Sequence, residues 1–126
     1  MAVNQESTGS TERRRYKRYK VKDEAYAFLG EETGTLVDIS QGGVAIHCAV
    51  FEKEPVFPSH LDLFTAQPHF YLPNIPIALV SEVQTVPPSI FSLLRIKRFS
   101  MQFGTLSDEQ LARIDAFIAN NTLADN

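Results

Sequence analysis

Asp38-Ile39-Ser40-Gln41-Gly42-Gly43 ends one short β-rich run, Thr35 to Ile39, and leads into another, Val44 to Cys48. The topology turns on what this stretch does. Asp and Ser bond locally to nearby backbone, and Gly removes the steric limits on the chain, so a stretch combining the three is a turn with a mechanism. Two β-rich runs joined this closely predict an antiparallel hairpin. At this level D-x-S-x-x-G could equally be an ordinary turn with no further task.

Upstream, Val21, Ala25, Ala27 and Leu29 alternate with Lys22, Glu24, Tyr26 and Phe28, the period of a strand with one buried face. Gly30-Glu31-Glu32-Thr33-Gly34 then reads as a turn. Downstream, prolines at 55, 58, 68, 73 and 76 leave room only for short strands, near His60 to Phe64 and Phe70 to Leu72. Ile77 to Val86 predicts a further strand stopped by Pro87-Pro88, and Ile90 to Ile96 with Phe99 to Phe103 predicts one long strand or a hairpin. Frequent short strands without intervening helices point to an antiparallel barrel or sandwich.

The chain closes on a helix, expected over 108–120. Ser107 is a suitable N-cap, Gln110 stands at N3 to complete a capping box, and Leu106 with Leu111 has staple spacing. Asp108 and Glu109 suit the positive end of the helix dipole. Leu111, Ile114, Phe117 and Ile118 form its expected apolar face.

The 126 residues, 44% hydrophobic and 21% charged, describe one globular domain without a run long enough to cross a bilayer. Met1 to Thr11 reads as a disordered tail without the apolar core of a secretory signal, and 122–126 reads as a second tail. With the single Cys48, this places the expected location in the cytoplasm. The net charge of −3 conceals a division: residues 12–22 carry seven basic side chains and one acid, +6, so the rest carries −9. Such an arm on an acidic body suits a small multiply charged anion better than a long polyanion. With only Tyr16 and Tyr19 as large apolar groups, residues 10–20 are expected to be loose until an anion relieves their repulsion.

Arg14-x-x-x-Arg18 ahead of the strands, followed by Asp38-x-Ser40-x-x-Gly43, resembles the PilZ domain, the bacterial receptor module for cyclic di-GMP. The ending Phe103-x-x-Leu106-Ser107-Asp108-Glu109-Gln110 is similar to the family's, although Ser100-Met101-Gln102-Phe103 replaces its common G-V-x-F strand. The resemblance implies a mostly β, six- to seven-stranded antiparallel barrel of split-barrel type with a C-terminal helix, spanning 12–121 with its arm at 12–20. It implies cyclic di-GMP as ligand, held by Arg13, Arg14, Arg15, Arg18, Asp38, Ser40 and Gly43. It also implies a downstream protein partner and leaves room for a homodimer or an intercalated ligand dimer.

The chemistry of these residue types fits. Arginine offers a planar fork of donors to phosphate oxygens or to guanine O6 and N7, and a carboxylate accepts from guanine N1–H and N2–H2, which adenine lacks. Two other readings stand beside it: a nucleic-acid-binding barrel using the basic arm with Tyr16 and Tyr19 as stacking groups, and a PilZ-like adaptor without ligand. Membrane insertion and nucleic-acid binding are not expected, nor is a cofactor. His47, His60, His69 and Cys48 lack zinc-site spacing, so no metal is expected. No nucleophile–base arrangement or phosphate loop indicates an enzyme.

Overall fold

The computed structural model describes residues 16–22, 24–50, 57–66, 69–84 and 95–123. Its elements in order are β1 (Tyr19–Lys20), β2 (Ala25–Leu29), β3 (Glu32–Ile39), β4 (Gly43–Val50), β5 (His60–Thr65), β6 (Phe70–Gln84), β7 (Arg95–Phe103) and α1 (Asp108–Asn121). Neighbours run β3-β2-β5-β6-β7-β4, and β4 pairs back onto β3. This closes a six-stranded antiparallel barrel, with β1 added outside the ring along β3. The expected barrel with a terminal helix is the fold observed, and closure leaves the ring without an open edge at this level.

Alternation sorts the side chains as the sequence requires. Ala25, Ala27 and Leu29 of β2 and Val44, Ile46, Cys48 and Val50 of β4 face inward, joined by Leu61, Leu63, Phe99 and Met101 in one core. His47 lies half-buried on the outer face beside Cys48 inside. Burial, reinforced by the nearby charge of Glu32, pushes the Cys48 thiol above its ordinary pKa, so it acts as a small packed hydrophobe.

Three local expectations are corrected. The strand predicted from Val21 begins only at Ala25, because Glu24 takes a left-handed φ of 71° and Val21 instead bridges Thr122. Gly34 belongs to β3 rather than to the turn: a Cβ there would press on the Ile46 side chain and the His47 carbonyl of β4. The prolines at 73 and 76 do not split β6, which continues for 15 residues.

Continuity of β6 has a specific cause. Between the pairs Leu61↔Ile75 and Leu63↔Leu72, β6 carries Pro73 and Asn74 against Asp62 alone, a bulge in which Asn74 adopts φ 60°. Asp62 supplies what the ladder loses. Its Oδ1 accepts the Asn74 N–H at 2.8 Å, and its Oδ2 accepts the Tyr71 hydroxyl at 3.1 Å. Pro76 needs no amide, and its carbonyl accepts the Gly104 N–H at 2.8 Å. The strand predictions over 85–94 lie outside the described residues.

Helix α1 starts with the expected capping box: the Ser107 hydroxyl accepts the Gln110 N–H at 3.1 Å and the Gln110 side chain accepts the Ser107 N–H at 3.0 Å. Its buried residues are Ile114, Phe117 and Asn121, with Ile118 partly buried. Leu111 remains 40% exposed, so the expected apolar face is narrower than its sequence spacing implies. The helix lies across one barrel mouth, reaching Asn74 through Gln110, Phe70 through Phe117 and the β3–β4 turn through Asp115. Phe117 is fully buried and meets Phe70 with ring centroids 5.2 Å apart. Removing a buried aromatic costs about 3 to 5 kcal/mol. Phe117→Ala should therefore lower unfolding stability by about that amount in urea titration. A loss below about 1 kcal/mol would show that the helix is not part of the cooperative core.

Candidate functional site

Simple alternation from the inward Leu36 would turn Asp38 into the core. It does not, because β3 has one residue more than β4 between the pairs Leu36↔Ile46 and Asp38↔Ala45. The extra residue, Val37, forms a bulge that resets the period, so Asp38 faces outward and Ile39 is buried. Asp38 then lies in a row running across five strands, Lys20↔Asp38↔Ala45↔Ser100↔Ser81. Ala45, Ser100 and Ser81 are small, leaving this part of the wall low beside the Asp38 carboxylate.

The turn after Asp38 is held by its own hydroxyl. The Ser40 Oγ accepts N–H bonds from Gly42 at 3.0 Å and Gly43 at 3.1 Å, while the Ser40 N–H donates to the Gly43 carbonyl at 2.9 Å. Ser40 is buried. Its oxygen thus fixes the backbone that carries Asp38. Gly43 pairs with Gln102 of β7, and a Cβ on it would collide with the Met101 carbonyl oxygen. The neighbouring strand therefore accounts for this glycine in the structure. Gly42 lies under the Tyr16 ring, which occupies the space a Cβ would need.

The arm is partly built into the fold. Tyr19 pairs with Ile39 and Lys20 with Asp38; the Val21 N–H then donates to the Val37 carbonyl at 3.0 Å. The expectation that residues up to 20 hang loose fails at this end, because the bulge carbonyl and the edge of β3 supply partners for the backbone. Arg18 is exposed and immediately precedes the Tyr19↔Ile39 pair, which places its backbone level with Ser40. Arg13, Arg14 and Arg15 lie outside the described residues. A cleft of about 250 Å³ opens between arm, turn and helix, lined by Tyr16, Lys17, Tyr19, Gln41, Asp115 and Ile118. The Gln41 amide donates to Asp115 Oδ1 at 2.7 Å, tying the turn to α1 across it.

One charged residue at the site was not anticipated. Arg98 of β7, whose register partner is His47, crosses above β4 and donates from Nη2 to Asp38 Oδ2 at 2.7 Å. The two side chains retain 33% and 16% of their exposure, so the pair is partly shielded from water. Nothing in the sequence marks it, since the partners stand 60 positions apart. Only the strand register brings them together.

The model of the PilZ domain family matches residues 12–120. The chain belongs to the PilZ family. No curated protein sequence gives a significant match. Among solved structures, this PilZ domain is similar to the PilZ domain with c-di-GMP of YcgR from Escherichia coli, at 17% identity and a TM-score of 0.66. That match covers 86% of this chain and 91% of the other. The K. pneumonia MrkH–c-di-GMP complex matches at 17% identity and a TM-score of 0.62, over 85% of this chain and 51% of MrkH. A further MrkH structure, described as that of a c-di-GMP-dependent transcription regulatory factor, gives the same identity and TM-score with 50% of its chain covered. At this identity the likeness is one of fold.

Within the PilZ domain, the D-x-S-x-x-G residues divide by position: Asp38 faces outward, whereas Ser40 and Gly43 hold the turn and the strand pairing. Ser40→Ala leaves two partly buried N–H groups without their acceptor, which costs about 1 to 3 kcal/mol. The expected result is a lower urea midpoint with an unchanged m-value. An unchanged midpoint would show that water replaces the hydroxyl at the turn.

Proposed function

We propose that this PilZ domain is a cyclic di-GMP receptor that regulates a downstream protein by changing its surface when the ligand binds. The observation that carries this reading is the pairing Lys20↔Asp38: β1 fixes the end of the basic arm beside the outward carboxylate. A ligand seated near Asp38 would meet Arg18 at the end of the arm and a carboxylate acceptor on the barrel wall. Arg18, with Arg14 and Arg15, would take the phosphates and the guanine O6/N7 edge, Arg13 would extend the cluster, and Asp38 would accept from guanine N1–H and N2–H2. Ser40 and Gly43 would contribute by holding the turn.

The same placement gives a route to an output. Tyr16 rests on Gly42, and Gln41 of the turn bonds Asp115 of α1, so closing the arm on a ligand would act on the turn and through it on the helix. The changed surface of arm, turn and helix is what a partner would read, in a process such as motility, exopolysaccharide production or virulence. The reaction class is reversible binding without catalysis.

Calorimetry tests the reading directly. The wild-type protein should bind cyclic di-GMP and discriminate against cyclic di-AMP, GTP and single-stranded oligonucleotides. Loss of a bidentate arginine contact is worth about 1 to 3 kcal/mol, so Arg18→Ala should weaken binding about tenfold or more. Unchanged affinity in that variant would sink the proposed site, and preference for an oligonucleotide would favour the nucleic-acid reading instead.

A further inference from the structure

We infer that Arg98 is a positioning residue for guanine recognition, acting through Asp38 and contributing to selectivity for the exocyclic amine of the base. The inference rests on the cyclic di-GMP reading and adds to it a residue that lies in neither the arginine arm nor the D-x-S-x-x-G stretch.

A lone carboxylate on an exposed strand can rotate, and a donor pair such as guanine N1–H and N2–H2 needs both its oxygens in one plane at a fixed angle. Three features supply that angle here. The Val37 bulge turns Asp38 outward. The Ser40-capped turn fixes the backbone after it. Arg98 then holds Oδ2 at 2.7 Å from the opposite side of β4. Ala45, the Cα partner of Asp38 on β4, is almost fully buried although it is absent from the interior core and alternates with inward Val44 and Ile46. Its small side chain leaves the height over β4 that the guanidinium needs to cross.

The pair leaves Asp38 able to work. A carboxylate has roughly four lone-pair sites, and Arg98 uses Oδ2 through one nitrogen, so Oδ1 and the second site on Oδ2 can accept from a ligand. Holding Oδ2 also bears on selectivity. A site whose acceptor is held rigidly loses more when a ligand lacks the matching donor than a site whose acceptor can relax. Arg98 therefore serves discrimination between guanine and a base lacking the N2 amine.

The test uses the full chain, cyclic di-GMP and its inosine analogue, which lacks that amine. Arg98→Ala should weaken cyclic di-GMP binding about tenfold and weaken the analogue distinctly less, so that discrimination between them contracts. In an Asp38→Ala background the same substitution should change affinity by less than about twofold, because a residue acting through Asp38 has nothing left to position. Arg98→Lys, which keeps the charge without the planar fork, should recover part of the affinity and keep the chain folded if the alanine variant proves unstable. Equal losses in the wild-type and Asp38→Ala backgrounds would overturn the inference in favour of an independent contact, as would unchanged discrimination in Arg98→Ala. Failure of the wild-type protein to bind would remove the receptor reading itself, whereas wild-type binding without an Arg98 effect would remove this inference alone.

Discussion

A single surplus residue in β3 governs the site. Because Val37 is bulged against β4, the period-two pattern changes phase between Leu36 and Ile39, and the only carboxylate in that strand after Glu32 is carried to the outer wall. The same bulge presents the Val37 carbonyl to the Val21 N–H, so it also anchors the end of the arm. Were Val37 paired in a regular ladder and not bulged, alternation from Leu36 would turn Asp38 toward the core and Ile39 out of it. Both the outward Asp38 and the anchoring of Val21 thus descend from one irregularity in one strand.

Legibility from sequence follows the range of the interaction. The β3–β4 turn and the α1 capping box are readable because their partners lie within three residues. The course of β6 through its prolines is not, since the compensating carboxylate, Asp62, sits twelve positions from Asn74 on another strand. Arg98 lies farther still from Asp38, and only the register of three strands reveals their contact. Leu111 departs from its expected burial for a related reason: helical spacing identifies a face, whereas packing against other elements decides how much of that face is covered.

The departure from the family's G-V-x-F pattern also acquires a location. Ser100 occupies the cross-strand row of Asp38, on the far side of Ala45, so the substitution lies on the outer wall beside the site and not in the interior. It puts a hydroxyl where the pattern has no side chain. Ser40 and Gly43 show the complementary lesson that a motif need not be a set of contacts. Much of its sequence requirement can come from the mounting that aims one chemical group.

The pairing around β1 joins the two ends of the domain. The Leu123 N–H donates to the Lys20 carbonyl at 2.8 Å and the Lys22 N–H donates to the Asn121 carbonyl at 2.8 Å, so the chain leaving α1 is stitched to the chain leaving the arm. Because the Val21↔Thr122 bridge is antiparallel, both chains leave the same end of this splice, so tension between them loads the Leu123–Lys20 bond first and opens the pairing in sequence. Leu123 thus lies beside Lys20, whose own register partner on β3 is Asp38.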